Sequence, residues 1–392
     1  MVGGLRRQVG LLGRVAEPVT PHGGRRPGTV PRAAAALIAL VLLAGCGGRE
    51  TAAPSAEPAP TPTPLPVAVA TEPVGDDADD PAIWVCPTDP ASSRVLVTNK
   101  AAAPRGGLVV YDLSGRTLQR IEGLDRPNNV DVEHGLSLGG LSVDVAVVTE
   151  RYQRRLRVFR IPTDGGPLVD VSSPNGLAVF EGEPGEREAP MGVGLYRRPA
   201  DGVVFAIVSR KEGPERGYLW QYRLEDDGEG RVRAVKVREL GHAAPGAEIE
   251  AVVVDDALGH VYYAEEARGL HKWHADPDHP EAGRELALFG TDGFRGDREG
   301  LALYARPNGT GYLLATDQIP GGSRYLVFER GGEDGTHEPR LVTVLDGGAD
   351  DTDGLDATSA SLGPALPEGL LVAMNSRGRN LLLYDWRSLG LP

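Results

Sequence analysis

The residues best equipped for chemistry are carboxylates in short, closely spaced groups. Asp76, Asp77, Asp79 and Asp80 fall within five residues, and Asp350, Asp351 and Asp353 within four. Between these groups come Asn128, Asn129 and Asp131, then Glu248 and Glu250, Glu265-Glu266, Asp297 and Glu299, and Asp317-Gln318. Oxygen donors of this kind suit a hard cation, and Ca2+ takes about six to eight of them from flexible loops. None of the groups has EF-hand spacing, and each alone could equally be a solvated acidic turn. Lys100, Arg151 and Lys211 are interleaved with the acids. Divalent cations beside basic side chains suit a polyanion, most simply phosphate, which takes a fork from Arg and a point charge from Lys. Clustered metal ions would polarise a phosphoryl oxygen and lower the pKa of an attacking water. Any one of the three basic residues, taken singly, could be a surface salt bridge.

Repetition brings these groups to one place. From Val74 onward, short β-branched and aromatic runs alternate with Gly, Asp, Asn and Pro, the pattern of strands and turns. One unit recurs: a polar loop, a strand, a turn, a second strand ending in polar residues, a loop, and a third strand with an aromatic. Copies start at Asp79, Asn128, Met191, Glu248, Asp297 and Thr352. Leu118–Ile121, Ala234–Leu240, Glu285–Phe289 and Leu341–Leu345 supply a fourth strand. Six such units predict an all-β fold, a six-bladed β-propeller with four-stranded antiparallel blades over residues 74–392. A β-sandwich or several small β domains would not repeat this order six times. In a propeller the first strand lines the channel. The loop entering it and the end of the second strand then share one face, so the acids and basic residues are expected to meet at one mouth.

Composition agrees. Gly 53 and Pro 32 make up roughly a fifth of the 392 residues, which long helices tolerate poorly. The formal charge is −14, and residues after 45 carry 35 basic against 54 acidic side chains, about −19. Such a surface excludes nucleic acid and anionic membrane as partners, since both need basic patches. Before Cys46, Arg32 and the apolar run Ala33–Gly45 form a secretory signal too short for a comfortable span. Leu43-Ala44-Gly45-Cys46 resembles a lipobox, so residues 1–46 are expected to be removed up to a lipidated Cys46. Residues 47–73, rich in Pro, Ala and Thr, are expected to be a structureless tether. The domain would then lie outside the cytoplasm, a monomer touching the membrane only through its lipid. Cys86, beside Trp84, is expected to be buried and unpaired.

Several other chemistries leave no trace. There is no Gly-x4-Gly-Lys-Ser/Thr loop and no Arg-His-Gly motif. Ser92 stands where a cysteine phosphatase would need Arg after Cys86. His271, His274 and His279 lack zinc spacing and are expected at the surface.

The motifs resemble those of the β-propeller phytases, alkaline calcium-dependent phosphatases of bacteria. The likeness runs through Asp77–Trp84, Thr98-Asn99-Lys100, Gly107–Tyr111, Asn128–Asp131, Arg151 and Lys211–Gly213. It continues through Glu250, Ala264–Glu266, Glu299–Leu301, Asp317-Gln318 and Asp351–Gly354, in the family's order over about residues 74–392. It implies a six-bladed propeller that needs several Ca2+ ions and removes phosphate from calcium phytate. It also implies phosphate-binding roles for Lys100, Arg151, Lys211 and Glu212. Calcium-bearing roles are implied for Asp79, Asp80, Glu250, Glu266, Asp297, Glu299, Gln318 and Asp353, with structural calcium near Asn128 and Val130. The attacking water would sit between calcium ions. Three departures stand out: Pro190-Met191-Gly192 replaces a substrate-contacting Tyr, Lys100-Ala101 replaces a doubled Lys, and the segment before Asp351 is shorter. A calcium-dependent propeller lactonase and a non-catalytic, calcium-stabilised surface propeller remain as alternatives.

Overall fold

A computed structural model of the chain describes residues 64–332 and 336–391. Its strands fall into six antiparallel sheets, and no α-helix occurs among the described residues. Blade 1 is Ala78–Trp84, Arg94–Asn99, Gly107–Asp112 and Thr117–Glu122 from axis to rim. Blade 2 is Pro127–Leu138, Leu141–Glu150 and Arg155–Ile161, with the short pieces Val169–Asp170 and Leu177–Ala178 sharing its rim. Blade 3 is Pro190–Arg197, Val204–Arg210, Arg216–Asp226 and Val232–His242. Blade 4 is Val252–Asp255, His260–Glu265, Gly269–His274 and Glu285–Phe289. Blade 5 is Leu301–Ala305, Gly311–Ile319, Gly322–Glu329 and Leu341–Asp346. Blade 6 is Leu355–Thr358, Leu370–Asn375, Asn380–Asp385 and Val69–Ala70. First strands touch in the order 1-2-3-4-5-6-1, so the ring closes. The six-copy reading of the sequence and the expected fourth strands thus hold.

Second and third strands are apolar on both faces because each is sandwiched between neighbouring blades. Val95, Leu96, Val97, Leu108 and Val110, for example, are fully buried. The apolar core is correspondingly divided into six clusters, one at each blade–blade seam. Cys86 is buried and free in the seam between blades 1 and 2, as expected.

The closure corrects the expected tether. Val69 and Ala70 pair with Leu383 and Leu382 as the rim strand of blade 6. Ala68 N donates to Leu383 O at 2.9 Å and Thr71 N to Leu381 O at 3.0 Å. The Pro-rich composition concealed the Val67-Ala68-Val69-Ala70-Thr71 segment, whose β-branched residues cover an otherwise open sheet edge. Residues 65–73 therefore belong to the propeller. Residues 47–63 of the expected tether and residues 1–46 with Cys46 lie outside the described residues.

Thr71 fastens this closure. Its hydroxyl accepts from Leu381 N at 3.0 Å and donates to Glu72 O at 3.1 Å, and the residue is 4% exposed. Thr71→Val leaves the Leu381 N–H unpaired and is expected to cost about 1–3 kcal/mol. Urea denaturation should show a lower midpoint, with catalysis per folded molecule unchanged.

Candidate active site

A three-residue pattern ends every second strand: Thr98-Asn99-Lys100, Thr149-Glu150-Arg151, Ser209-Arg210-Lys211, Ala264-Glu265-Glu266, Thr316-Asp317-Gln318 and Met374-Asn375-Ser376. The N–H of each third residue donates to a carbonyl in the loop entering the same blade, at Asp77, Arg126, Ala189, Glu248, Asp297 and Asp350. The six positions are thus equivalent.

The first residue of the pattern repairs the backbone. In blades 1 to 3 the first strand bulges as it begins, after Ala78, Pro127 and Pro190. A bulge takes an N–H off the ladder and re-aims side chains. The freed N–H groups of Asp80, Asn129 and Gly192 donate to the hydroxyls of Thr98, Thr149 and Ser209 at 3.2, 3.0 and 2.8 Å. The same hydroxyls donate across the seam to carbonyls of Asn128, Met191 and Ile249, each at 2.6 Å. Thr316 likewise accepts from Glu299 N and Gly300 N.

The middle residue, buried in all but blade 6, turns away from the mouth and pins the loop entering the blade. Asn99, Glu150, Glu265, Asp317 and Asn375 accept from the backbone N–H of Asp77, Asp125, Ala244, Arg295 and Asp350 at 2.8–3.1 Å. Arg210 substitutes an ion pair to Glu183 at 3.2 Å. Strand alternation explains why Glu265 serves this role while its neighbour Glu266 faces the mouth. The expectation that His271 is a surface residue fails here. It is fully buried, with Nε2 3.0 Å from Glu265 Oε2 and Nδ1 against Glu285.

The third residues and the first-strand acids converge. Glu250, Glu266 and Glu299, from blades 4 and 5, each bring a carboxylate oxygen within 4.8 Å of the others. Lys100 reaches across from blade 1, its Nζ 2.8 Å from Asp79 Oδ1 and 2.9 Å from Glu250 Oε1. Asn128 Nδ2 donates to the same Glu250 oxygen. Gln318 Nε2 donates to Asp353 at 2.6 Å, and Asp297 bridges Gln318 through backbone. Close approach at the seams needs glycine: a Cβ on Gly192 would stand 1.7 Å from Glu250 O, and one on Gly300 2.4 Å from Asp353 O.

Below the mouth, Asp80 lines a channel cavity of about 30 Å³ with Val130, Asp131 and Asp356. Asp80, Asp131 and Asp356 accept from the neighbouring blades' Val130, Leu195 and Ile83 N–H groups. Burial pushes Asp131 up to about 8 and Asp356 to about 7. Among the predicted metal residues, then, Asp80 and Val130 belong to the channel and the others to the mouth. Sequence reasoning left Asp356 out, because it lies three residues past the Asp-rich loop inside an ordinary strand.

Lys211 pairs with Glu248 beside Glu266. The Arg151 guanidinium lies 3.7 Å from Glu186, with its Nε buried and unpartnered. Glu212 is exposed and not drawn into the carboxylate cluster. Met191 is 2% exposed, a packing residue that offers the mouth no hydrogen-bond donor.

The mouth is electrostatically incomplete. Burial, then Glu248 and Glu250, lifts Glu266 to about 7; burial, then Glu266 and Glu250, lifts Glu299 to about 9. Asp79 is raised by burial, with Glu250 and Asp353 adding to the effect against Lys100. Burial works against the charge on Lys100, yet Asp79, Glu250 and Asp353 hold it well above the usual lysine range. Asp79 Oδ2 and Asn128 Oδ1 are buried without a hydrogen-bond partner. Oxygens bound to one Ca2+ at about 2.3–2.6 Å lie no more than about 5 Å apart, as the three glutamates do. The residues fit a hard divalent cation.

Fold and site together define a six-bladed propeller with an acidic mouth whose residues fit a cation. The Phytase family model matches residues 32–381, and the chain belongs to that family, a phosphoric monoester hydrolase. It is 35% identical to the 3-phytase of Bacillus subtilis (strain 168) over 340 residues, covering 81% of this chain and 82% of that protein. A solved candidate 6-phosphogluconolactonase of Bacteroides fragilis NCTC 9343 shares the fold, with TM-score 0.50 and 13% identity over 79% of this chain and 81% of that one.

An acid whose pKa is raised by folding keeps a proton that the unfolded chain has lost, so stability falls as pH rises between the two values. With metal chelated, the urea midpoint should therefore drop as pH goes from about 5 to about 9. Calcium should restore it, most strongly at the alkaline end. A chelated protein equally stable across that range would contradict the carboxylate assignment.

Proposed function

We propose that the chain is a calcium-dependent phosphomonoesterase and that its substrate is phytate, the substrate in the name of its Bacillus relative, a 3-phytase. The observation that carries this is the convergence of Glu250, Glu266 and Glu299, with the part-buried Lys100 ammonium paired to Glu250. Asp79, Glu250, Glu266, Asp297, Glu299, Gln318 and Asp353 would hold calcium at the mouth, and Asp80, Asn128 and Val130 beside or below it. Bound there, calcium would neutralise the carboxylates and supply the charge to polarise a phosphoryl oxygen and acidify a water.

The side chains do the binding and orienting. Lys100 is fixed by two carboxylates at the centre, so its ammonium meets a phosphate without first being ordered. Arg151 keeps a buried Nε donor unspent, available to phosphate oxygens as half of a fork. Lys211, half-buried beside Glu248, supplies a third positive charge on the rim. Glu212 would act only at that rim. With the mouth carboxylates committed to cations, water rather than a protein group is the nucleophile. A propeller lactonase is supported by fold likeness alone, and a lactone has little use for three basic side chains. The Ala33–Cys46 run supports an extracytoplasmic, lipid-anchored placement.

Phosphate release from calcium phytate and from p-nitrophenyl phosphate, with and without chelator, tests this proposal. Release with calcium and its loss on chelation are expected; no release from either substrate sinks it. Glu250→Gln and Arg151→Ala should each lower kcat/KM on the order of 100-fold with an unchanged circular dichroism spectrum. Unchanged turnover would refute the site.

A further inference from the structure

Three basic side chains at the mouth are each paired with an acid: Lys100 with Asp79 and Glu250, Arg151 with Glu186, and Lys211 with Glu248. A fourth, Arg126, stands between the first two in the loop that enters blade 2, directly before Pro127. Its backbone is held from both sides. Arg126 N donates to Ala101 O at 2.9 Å, next to Lys100, and Arg126 O accepts from Arg151 N at 3.1 Å. The residue therefore occupies the seam between the second-strand ends of blades 1 and 2. Its φ is +53°, a left-handed conformation that strains a non-glycine residue, and the two hydrogen bonds hold it there. The repeat does not mark Arg126, because it lies outside the three-residue pattern that ends each second strand.

The guanidinium leans toward blade 1. Its Nη1 donates to Lys100 O at 3.3 Å, and its carbon stands 5.7 Å from the ring centroid of Tyr152. Tyr152 belongs to the short turn Arg151–Gln153 and is 54% exposed, so the ring covers one face of the guanidinium from the solvent side. Among the described residues no carboxylate pairs with Arg126. The adjacent Asp125 is committed elsewhere, its Oδ1 accepting from Ala103 N at 3.1 Å and its Oδ2 from Gln153 Nε2 at 2.8 Å. Nε and Nη2, which share one edge of the guanidinium, make no hydrogen bond within the protein. Two parallel N–H groups on a fixed positive charge match two oxygens of a phosphate.

A single phosphate ester would be served by Lys100 and Arg151. A further unpaired guanidinium beside them suits a second phosphate on the same molecule. We propose that Arg126, lying over Tyr152, is a specificity-determining residue that binds a substrate phosphate next to the one being removed. The proposal rests on the phosphomonoesterase reading above. It makes the mouth selective for polyphosphorylated rings over single phosphate esters.

Steady-state kinetics of the calcium-loaded full chain on calcium phytate and on p-nitrophenyl phosphate test it, with Arg126→Gln, Arg126→Lys and Tyr152→Ala. Gln keeps a donor for Lys100 O but has neither the charge nor the fork. Arg126→Gln should lower the ratio of kcat/KM for phytate to that for p-nitrophenyl phosphate at least about 10-fold, the loss of a charged hydrogen bond. Most of the change should appear in KM, because a phosphate that does not react is bound alike before and during hydrolysis. Arg126→Lys should recover part of the ratio, and Tyr152→Ala should lower it about threefold. Equal losses on both substrates would mean that Arg126 only positions Lys100, and would overturn the proposal, as would an unchanged ratio. A wild type that releases phosphate from neither substrate overturns the phosphomonoesterase reading along with it. Should Arg126→Gln not fold, Arg126→Lys and Tyr152→Ala decide by the same ratio.

Discussion

Every blade must hold two chain ends at the mouth: the loop that enters its first strand and the terminus of its second. In blades 1, 2, 3 and 5 one short polar pattern does both. A hydroxyl on one face takes the N–H that the bulge removes from the ladder and hands its own proton to the next blade. The next residue faces the other way and fixes the entering loop through a buried side chain. The residue after that is left projecting into the mouth. Lys100, Arg151, Lys211 and Gln318 are where they are because of the two residues before them, and Glu266 because of Glu265 alone. The site is built on strand termini held on both sides, which restricts motion at the place where charges must be kept close.

Holding those charges close has an electrostatic cost. One part-buried ammonium serves Asp79, Glu250 and Asp353, while Glu266 and Glu299 face one another with their pKa values driven upward. Like charges this close cannot all ionise near neutral pH unless something neutralises them. The backbone framework tolerates the cluster because the repulsion falls on side chains, whereas the loops beneath them are tied by neutral hydrogen bonds. Ligand selectivity follows from the same arrangement. The donors are carboxylate and amide oxygens from four blades, a set that suits a cation with flexible, oxygen-rich coordination.

Much of this was legible in the chain because a propeller is a repeat. Equivalent positions could be read across six copies, so acids that mean little singly, such as Glu250 and Glu299, acquired a common location. What the repeat could not convey was parity and closure. Glu265 and Glu266 look interchangeable in sequence, yet strand alternation sends one to His271 and the other to the mouth. His271 looks like a surface residue after an outer strand, but third strands here are buried on both faces by adjoining blades. Val69-Ala70 sits in a Pro-rich stretch and reveals itself as a strand only against the open edge at Leu382 and Leu383. The channel acid Asp356 gave no signal, since a single Asp in a first strand resembles any polar turn residue. Long-range partners decided each of these outcomes, and local pattern carries no information about them.

Closure and chemistry meet at the same seam. The ring is completed where blade 6 meets blade 1, and the strand Val69–Ala70 latches only the rim of blade 6. Nearer the axis the seam is held by Gly354 N donating to Asp79 O and by Asp356 accepting from Ile83 N. Asp353 and Asp79 face each other across it, the one tied to Gln318 of blade 5, the other to Lys100 and through it to Glu250 of blade 4. A cation shared by these carboxylates would therefore bridge blades 1, 4, 5 and 6 at their inner edges, where the rim strand gives no support. Binding to the closed ring but not to the open chain stabilises the closed form by mass action. In this geometry, calcium at the mouth would serve as catalytic charge and as the inner half of the closure together.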